Sequence, residues 1–267
     1  MTQLADYELV SLIGRGNHGS FFRAKPPGRI EVDEEFVAVK VLDHKATDDD
    51  FRRFGHEMKV IATVDSRYVA PLLDAGQSNG TLFYTLPYYQ QGSLQLADVD
   101  LRSQVRAVAD AARGAHDLHE IGVVHRDIKP ANILVDDGRG FLADLGLASV
   151  GSLGTATVGI GPIGSIEFME PEIVYGQAAG RTSDVWSLAI TLHRILSGQS
   201  CHPDLPTDSA MAAFRHVLQR RPQIDHQIDD QLATVLSKAL APTRTERFST
   251  ALEFADALER AGSSRSQ

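Results

Sequence analysis

Residues 125–132 read His-Arg-Asp-Ile-Lys-Pro-Ala-Asn, and Asp144-Leu145-Gly146 follows a short way on. These residue types suit phosphoryl transfer. The Asp127 carboxylate can accept a hydroxyl proton, and Lys129 can neutralise a phosphoryl group in transit. Asn132 and Asp144 supply the hard oxygens that Mg²⁺ prefers.

The elements that must hold these groups flank them. Ile133-Leu134-Val135, Asp136-Asp137-Gly138 and Phe141-Leu142-Ala143 read as a strand, a turn and a returning strand that delivers Asp144. Upstream, 101–121 repeats apolar residues every three to four positions, a long amphipathic helix that Gly122 ends. Near the amino terminus, 7–13 (YELVSLI) and 20–25 (SFFRAK) are rich in strand formers and flank Gly14-Arg15-Gly16-Asn17-His18-Gly19, so a hairpin with glycines at its tip is expected. The same glycine spacing occurs in dinucleotide folds, where a helix follows; here aromatic and short apolar stretches follow, which favours a strand.

After the breaker cluster Pro26-Pro27-Gly28-Arg29, residues 36–42 (FVAVKVL) read as a strand that carries Lys40. A buried ammonium without partners is costly, so Lys40 needs anions beside it. Residues 48–64 place Phe54, Met58 and Ile61 at helical spacing, and Glu57 on that helix can meet Lys40. Residues 81–94 then run from strand into loop.

Composition sets the surroundings. The 267 residues are 43% hydrophobic and 23% charged, enough to bury a real core in one large domain or two joined lobes. A net charge of −9 argues against a nucleic-acid surface and weakly favours basic partners. The lone Cys201 forms no internal disulfide, no apolar run is long enough to span a bilayer, and the start lacks the basic-then-apolar pattern of a secretory signal. A reducing, cytoplasmic setting is expected. Arg far outnumbers Lys among the 26 basic residues, a usage that fits a GC-rich bacterial genome.

Taken together, the motifs resemble the protein kinase family from about Tyr7 to Ala261, and Lys129 resembles its serine/threonine branch in the bacterial eukaryotic-like (Hanks-type) form. The resemblance implies an α+β, two-lobed fold with a small antiparallel β-rich N-lobe (about 7–86), a hinge (87–94), a larger mainly helical C-lobe (95–261) and a polar tail (262–267). It implies ATP as nucleotide with Mg²⁺, or Mn²⁺ in its place. Asp127 and Lys129 take catalytic roles, while Asn132 and Asp144 hold the metal. Gly14, Gly16 and Gly19 lie over the phosphates, Lys40 contacts them, and Glu57 locks Lys40. Ile13, Phe21, Ala38, Leu86, Tyr89 and Leu134 surround the adenine. His125 is implied to pack and not to act as a base.

Residues 147–164 resemble an activation segment, with Thr157 and Thr155 ahead of Ser152 as phosphosites that would pair with Arg126. Residues 165–172 match the family's peptide-docking motif with Ser165, Phe168 and Glu170 standing where Thr, Tyr and Ala are usual. Asp184 resembles the residue that braces the catalytic loop, and Arg247 the partner of Glu172. Leu145 replaces the usual Phe, Phe21 replaces Val, and Pro87 replaces an acidic residue. The implied partners are ATP and proteins with Ser or Thr acceptors, and a homodimer would serve autophosphorylation in trans. A pseudokinase scaffold, the alternative reading, would be favoured by loss of Lys40, Asp127, Asn132 or Asp144, and none is lost. A small-molecule phosphotransferase of the antibiotic-kinase type would lack the docking motif, which is present.

Overall fold

In a computed structural model of the chain, the described residues are 3–16, 19–45, 47–144 and 163–263. They fall into two compact units, Met1–Asp65 with Ala70–Gln90, and Ser66–Val69 with Gln91–Gln267.

The first unit is an antiparallel sheet with one helix. Its strands are β1 (Gln3–Leu4), β2 (Tyr7–Gly16), β3 (Gly19–Lys25), β4 (Val37–Lys45), β5 (Asp74–Ser78) and β6 (Thr81–Pro87), and α1 (Asp48–Ala62) connects β4 to β5. The spatial order is β1-β2-β3-β4-β6-β5. Alternation along the strands decides what faces the core. Val37 and Val39 of β4 join Leu4, Tyr7, Leu9, Ala24 and Phe83 in one apolar cluster, which leaves Ala38 and Lys40 on the opposite face. Glycines open the β2–β3 hairpin, and Gly16 pairs with Gly19. Gly19 is demanded by the sheet itself, because a side-chain carbon there would lie 2.3 Å from the Val41 carbonyl oxygen. A strand and not a helix follows the glycine motif, as the aromatic run after Gly19 requires.

The second unit is mainly helical. Its members are α2 (Leu101–Glu120), a 3₁₀ turn at Pro130–Asn132, the hairpin β7 (Ile133–Asp136) and β8 (Arg139–Leu142), then α3 (Ile163–Ile166), α4 (Pro171–Val174), α5 (Arg181–Ser197), α6 (Ala210–Gln219), α7 (Asp230–Ala239), a 3₁₀ turn at Arg244–Glu246, and α8 (Ala251–Ser263). Asp100 caps α2 by accepting from Ser103 N at 2.7 Å. In α5 every residue from Ser183 to His193 is buried, so this helix is the interior post of the unit. α2 packs against α5, α8 and β8. The approach to β8 is close: a side-chain carbon at Gly140 would sit 2.1 Å from the Ala107 carbonyl oxygen. Asp137 and Gly138 take φ of +47° and +67° at the tip of the β7–β8 hairpin, the left-handed pair that a two-residue turn needs.

The short stretch Ser66–Val69 belongs with the second unit although α1 and β5 on either side of it belong to the first. Its Tyr68 carbonyl accepts from Leu142 N at 2.8 Å, and Val69 bridges to Leu142. Among the described residues no helix is long and apolar enough to cross a membrane.

Candidate active site

In the first unit the charged centre is Lys40. It is 1% exposed, and the register of β4 sets Phe21 on one side of it and Tyr84 on the other. Their rings lie 5.1 and 5.6 Å from Nζ. Aromatic faces attract an ammonium, so the two rings offset part of its lost hydration. Phe21 thus touches the Lys40 charge directly, which a Val could not do. Ala38 pairs with Leu86 across β4 and β6, and both are buried. Ile13 is partly exposed on β2, Gly14 pairs with Phe21 on β3, and Tyr89 follows the end of β6 half-buried. Glu57 falls within α1, but its side chain lies outside the described residues. So do Leu145, Gly146, Ser152, Thr155 and Thr157.

In the second unit the hairpin does the placing. Ile133 pairs with Leu142, and Ala143 N donates to the Asn132 carbonyl at 2.9 Å. Asn132 therefore enters β7 beside the point where Asp144 leaves β8. Leu134 sits mid-β7, bridged to Ser93, and Gly92 and Leu94 extend the pairing on that side. The loop before the hairpin brings three groups together. Lys129 Nζ donates to Asp127 Oδ1 at 2.9 Å and Oδ2 at 2.7 Å. Asn132 Nδ2 donates to the Asp127 carbonyl at 2.8 Å and to Oδ2 at 3.0 Å. The amide nitrogen being committed to Asp127, the group that Asn132 can offer a cation is its oxygen. With the Asp144 carboxylate the donors are all hard oxygens, which fits Mg²⁺ and does not fit a soft metal.

The loop is strained and braced. Arg126 and Asp144 have φ of +69° and +58°, left-handed conformations that cost a residue with a side chain about 1 kcal/mol or more. The fully buried Asp184 of α5 holds the first of them. Its Oδ1 accepts from Arg126 N at 2.9 Å, and its Oδ2 accepts from His125 N at 2.9 Å and from His119 Nε2 at 2.7 Å. His125 Nε2 lies 3.1 Å from the Ala143 carbonyl, which can only accept, while Nδ1 receives Asp127 N at 3.3 Å. Those partners fix the neutral tautomer with its proton on Nε2. Both ring nitrogens are thereby occupied within the loop, so His125 positions Asp127 and the stretch before Asp144.

The 165–172 segment is anchored by the Arg247–Glu172 pair that the resemblance implied and by further contacts that residue types alone did not reveal. Ser165 Oγ lies 3.3 Å from Lys129 Nζ, and Ser187 Oγ donates to the Phe168 carbonyl at 2.8 Å. Arg247 Nη2 meets Glu172 at 2.6 Å, while Glu170 accepts from Arg247, Arg244 and Ser183. Beyond that pair, the sequence signals for this network were a Glu where Ala is usual and a second Arg three residues before Arg247.

A protein kinase domain profile matches residues 7–259. The chain belongs to the protein kinase family. Among curated relatives, the kinase domain is 29% identical to serine/threonine-protein kinase PknK of Mycobacterium bovis over 95% of this chain and 23% of that protein. It is 31% identical to serine/threonine-protein kinase PknB of Mycolicibacterium smegmatis over 92% of this chain and 41% of that protein. The chain spans less than half the length of these relatives. The crystal structure of the PknI kinase domain of Mycobacterium tuberculosis aligns with a TM-score of 0.70 at 25% identity, covering 97% of each chain. The strand-rich first unit and helical second unit are those of the protein kinase fold.

Proposed function

We propose that this kinase domain transfers the γ-phosphoryl group of Mg-ATP to Ser or Thr hydroxyls of proteins, its own activation segment among them. The observation that carries the reading is the Asp127, Lys129 and Asn132 cluster, in which one carboxylate is oriented from two sides. In this reading Asp127 orients the acceptor hydroxyl and takes its proton as the oxygen bonds to phosphorus. The β–γ bridging oxygen leaves with ADP. Lys129 turns from Asp127 toward the transferring group and balances its charge. Asn132 and Asp144 would hold Mg²⁺, or Mn²⁺ in its place, which would supply neutralisation of phosphate charge when bound.

Lys40 grips the phosphates with Glu57 as its partner, and Gly14, Gly16 and Gly19 let backbone N–H groups approach them. Ile13, Phe21, Ala38, Leu86, Tyr89 and Leu134 receive the adenine. Thr157, Thr155 or Ser152 is the regulatory phosphosite. The retention of Lys40, Asp127, Asn132 and Asp144 speaks against a pseudokinase, and the anchored 165–172 segment favours a protein acceptor over a small molecule.

The test is incorporation of radiolabel from ATP with Mg²⁺, followed by site mapping. Purified chain is expected to label itself on Ser or Thr, and Asp127→Ala and Lys40→Met are expected to abolish labelling. Undiminished labelling in Asp127→Ala would remove the catalytic assignment.

A further inference from the structure

Glu170 is an unusual group to bury. It is 1% exposed, and its oxygens accept from Arg247, Arg244 and Ser183. It occupies the cap position before α4, yet its side chain makes no capping bond to that helix. A capping side chain would satisfy the free N–H groups of α4. Glu170 turns inward to the arginines instead, and Pro171 at the first helical position removes one of those N–H groups.

The arginines are themselves fixed. Arg247 is 3% exposed, stacks its guanidinium 4.6 Å from the Trp186 ring of α5, donates Nε to the Ala241 carbonyl at 3.0 Å, and reaches Glu172. Arg244 donates to the Ala178 carbonyl at 3.0 Å. Two carboxylates on the Glu170-Pro171-Glu172 turn are thus matched to Arg244, which opens the Arg244–Glu246 turn, and Arg247, which follows it. Desolvating such a group is expensive and yields little stability against an apolar alternative. Its better use is to fix one arrangement out of several.

What it fixes is the stretch just before it. Ser165 touches Lys129 at one end, Phe168 is tied to Ser187 in the middle, and Glu170 closes the other end on Ser183. Ser183 and Ser187 are one turn apart on α5, and Asp184 between them holds the catalytic loop. We infer that Glu170, through Arg244 and Ser183, is a positioning residue that sets the seat of the acceptor peptide relative to Asp127 and thereby its selectivity. This rests on the protein kinase reading proposed above and names the residue that tunes its acceptor side.

The experiment compares wild type, Glu170→Ala and the double variant Glu170→Ala/Arg244→Ala. Each is profiled on a degenerate Ser/Thr peptide library with Mg²⁺ and ATP, KM is measured for the best wild-type peptide and for ATP, and thermal unfolding is recorded. Glu170→Ala leaves both Arg247 Nη1 and Arg244 without their carboxylate and is expected to unfold at lower temperature. The double variant keeps the Arg247–Glu172 pair and removes the Arg244 charge, so it is expected to regain part of that loss. Both are expected to raise KM for the peptide by on the order of tenfold or more, the scale of a misplaced substrate, and to shift the library profile, while KM for ATP stays within about twofold of wild type. A double variant with wild-type peptide KM and an unchanged profile would show that Glu170 only balances the charge of Arg244, and would overturn the inference. Equal rises in both KM values would overturn it too. A wild type that phosphorylates no library member but still labels itself would also overturn it, because there would be no peptide seat to set. A wild type with neither activity would remove the proposed function and this inference with it.

Discussion

Asp184→Asn tests whether a single buried carboxylate holds the loop that carries Asp127. The side chain is fully buried and takes three bonds, from His119 Nε2, His125 N and Arg126 N. Asparagine keeps the shape but turns one oxygen into a donor. If the nitrogen replaces Oδ1, it faces the Arg126 N–H. If it replaces Oδ2, it faces the His125 N–H, and His119 must move its proton to Nδ1, which has no hydrogen-bond partner among the described residues. Either way a buried backbone N–H loses its acceptor, at roughly 1–3 kcal/mol. The surviving bonds also lose their charge assistance, at about 1 kcal/mol each. The sum of about 3–5 kcal/mol is a large share of the roughly 5–15 kcal/mol that holds a typical domain folded. With the nitrogen at Oδ1 Arg126 loses what keeps it left-handed, with the nitrogen at Oδ2 the neighbouring His125 N–H is released, and in both cases Asp127 moves with the loop, for a fall in phosphotransfer on the order of a hundredfold. Urea unfolding and amide exchange at His125 and Arg126 give the readout. An unchanged urea midpoint together with full protection at Arg126 N–H would refute the reasoning.

Two further perturbations follow from packing and from burial. Gly140→Ala forces a methyl against the Ala107 carbonyl of α2, so β8 must shift and stability should fall by roughly 2 kcal/mol or more; a urea midpoint equal to wild type would show that the contact can relax. His202 is buried, neither ring nitrogen has a hydrogen-bond partner among the described residues, and its ring centroid lies 6.2 Å from that of His216. Burial first, then the nearby His216 and His193, pull its pKa from 6.5 down to about 4. The folded value lies below the unfolded one, so the unfolded chain binds the proton first and stability is lost as pH falls from about 6.5 toward 4. The loss reaches about 3 kcal/mol, at 1.36 kcal/mol per pKa unit. Denaturant midpoints across that window should fall in wild type and much less in His202→Phe, and parallel curves would assign the acid sensitivity elsewhere.

Local chemistry made the hairpin that carries Asn132 and Asp144 readable, because Asp137-Gly138 between apolar runs specifies its own turn. The strand around Lys40 and the long helix α2 were readable from alternation and from helical spacing. Their ends were less so: 48–64 was expected to be helical, but α1 stops at Ala62, where Thr63 N and Val64 N bond back to Val60 and Ile61 in a tightening turn. β1 was not visible at all, since two residues carry no period, and it forms through the turn at Ala5 with φ +49°. The assignment of Ser66–Val69 to the second unit depends on Tyr68 bonding Leu142, a contact across distant sequence that no local pattern encodes. Glu170 is the sharpest case. Its departure from the family residue was plain, but its meaning required Arg244 and Arg247, more than seventy positions away.

The beginning of α5 shows why these distant contacts act together. Ser183, Asp184, Trp186 and Ser187 serve four different clients: Glu170, the catalytic loop, Arg247 and Phe168. Polar groups at such density could not be buried on a mobile element, because any slip would leave several unsatisfied at once. The rest of the helix prevents that slip. Val185, Leu188, Ala189, Ile190 and Leu192 are buried, so moving α5 would expose apolar surface at about 25 cal/mol per Å². Apolar burial along the post thus fixes the polar turn at its head, and that turn sets the loop bearing Asp127 and the segment bearing Ser165 in one frame. A change on either side of the frame is felt on the other because both hang from the same few residues, with no need for a longer pathway through the unit.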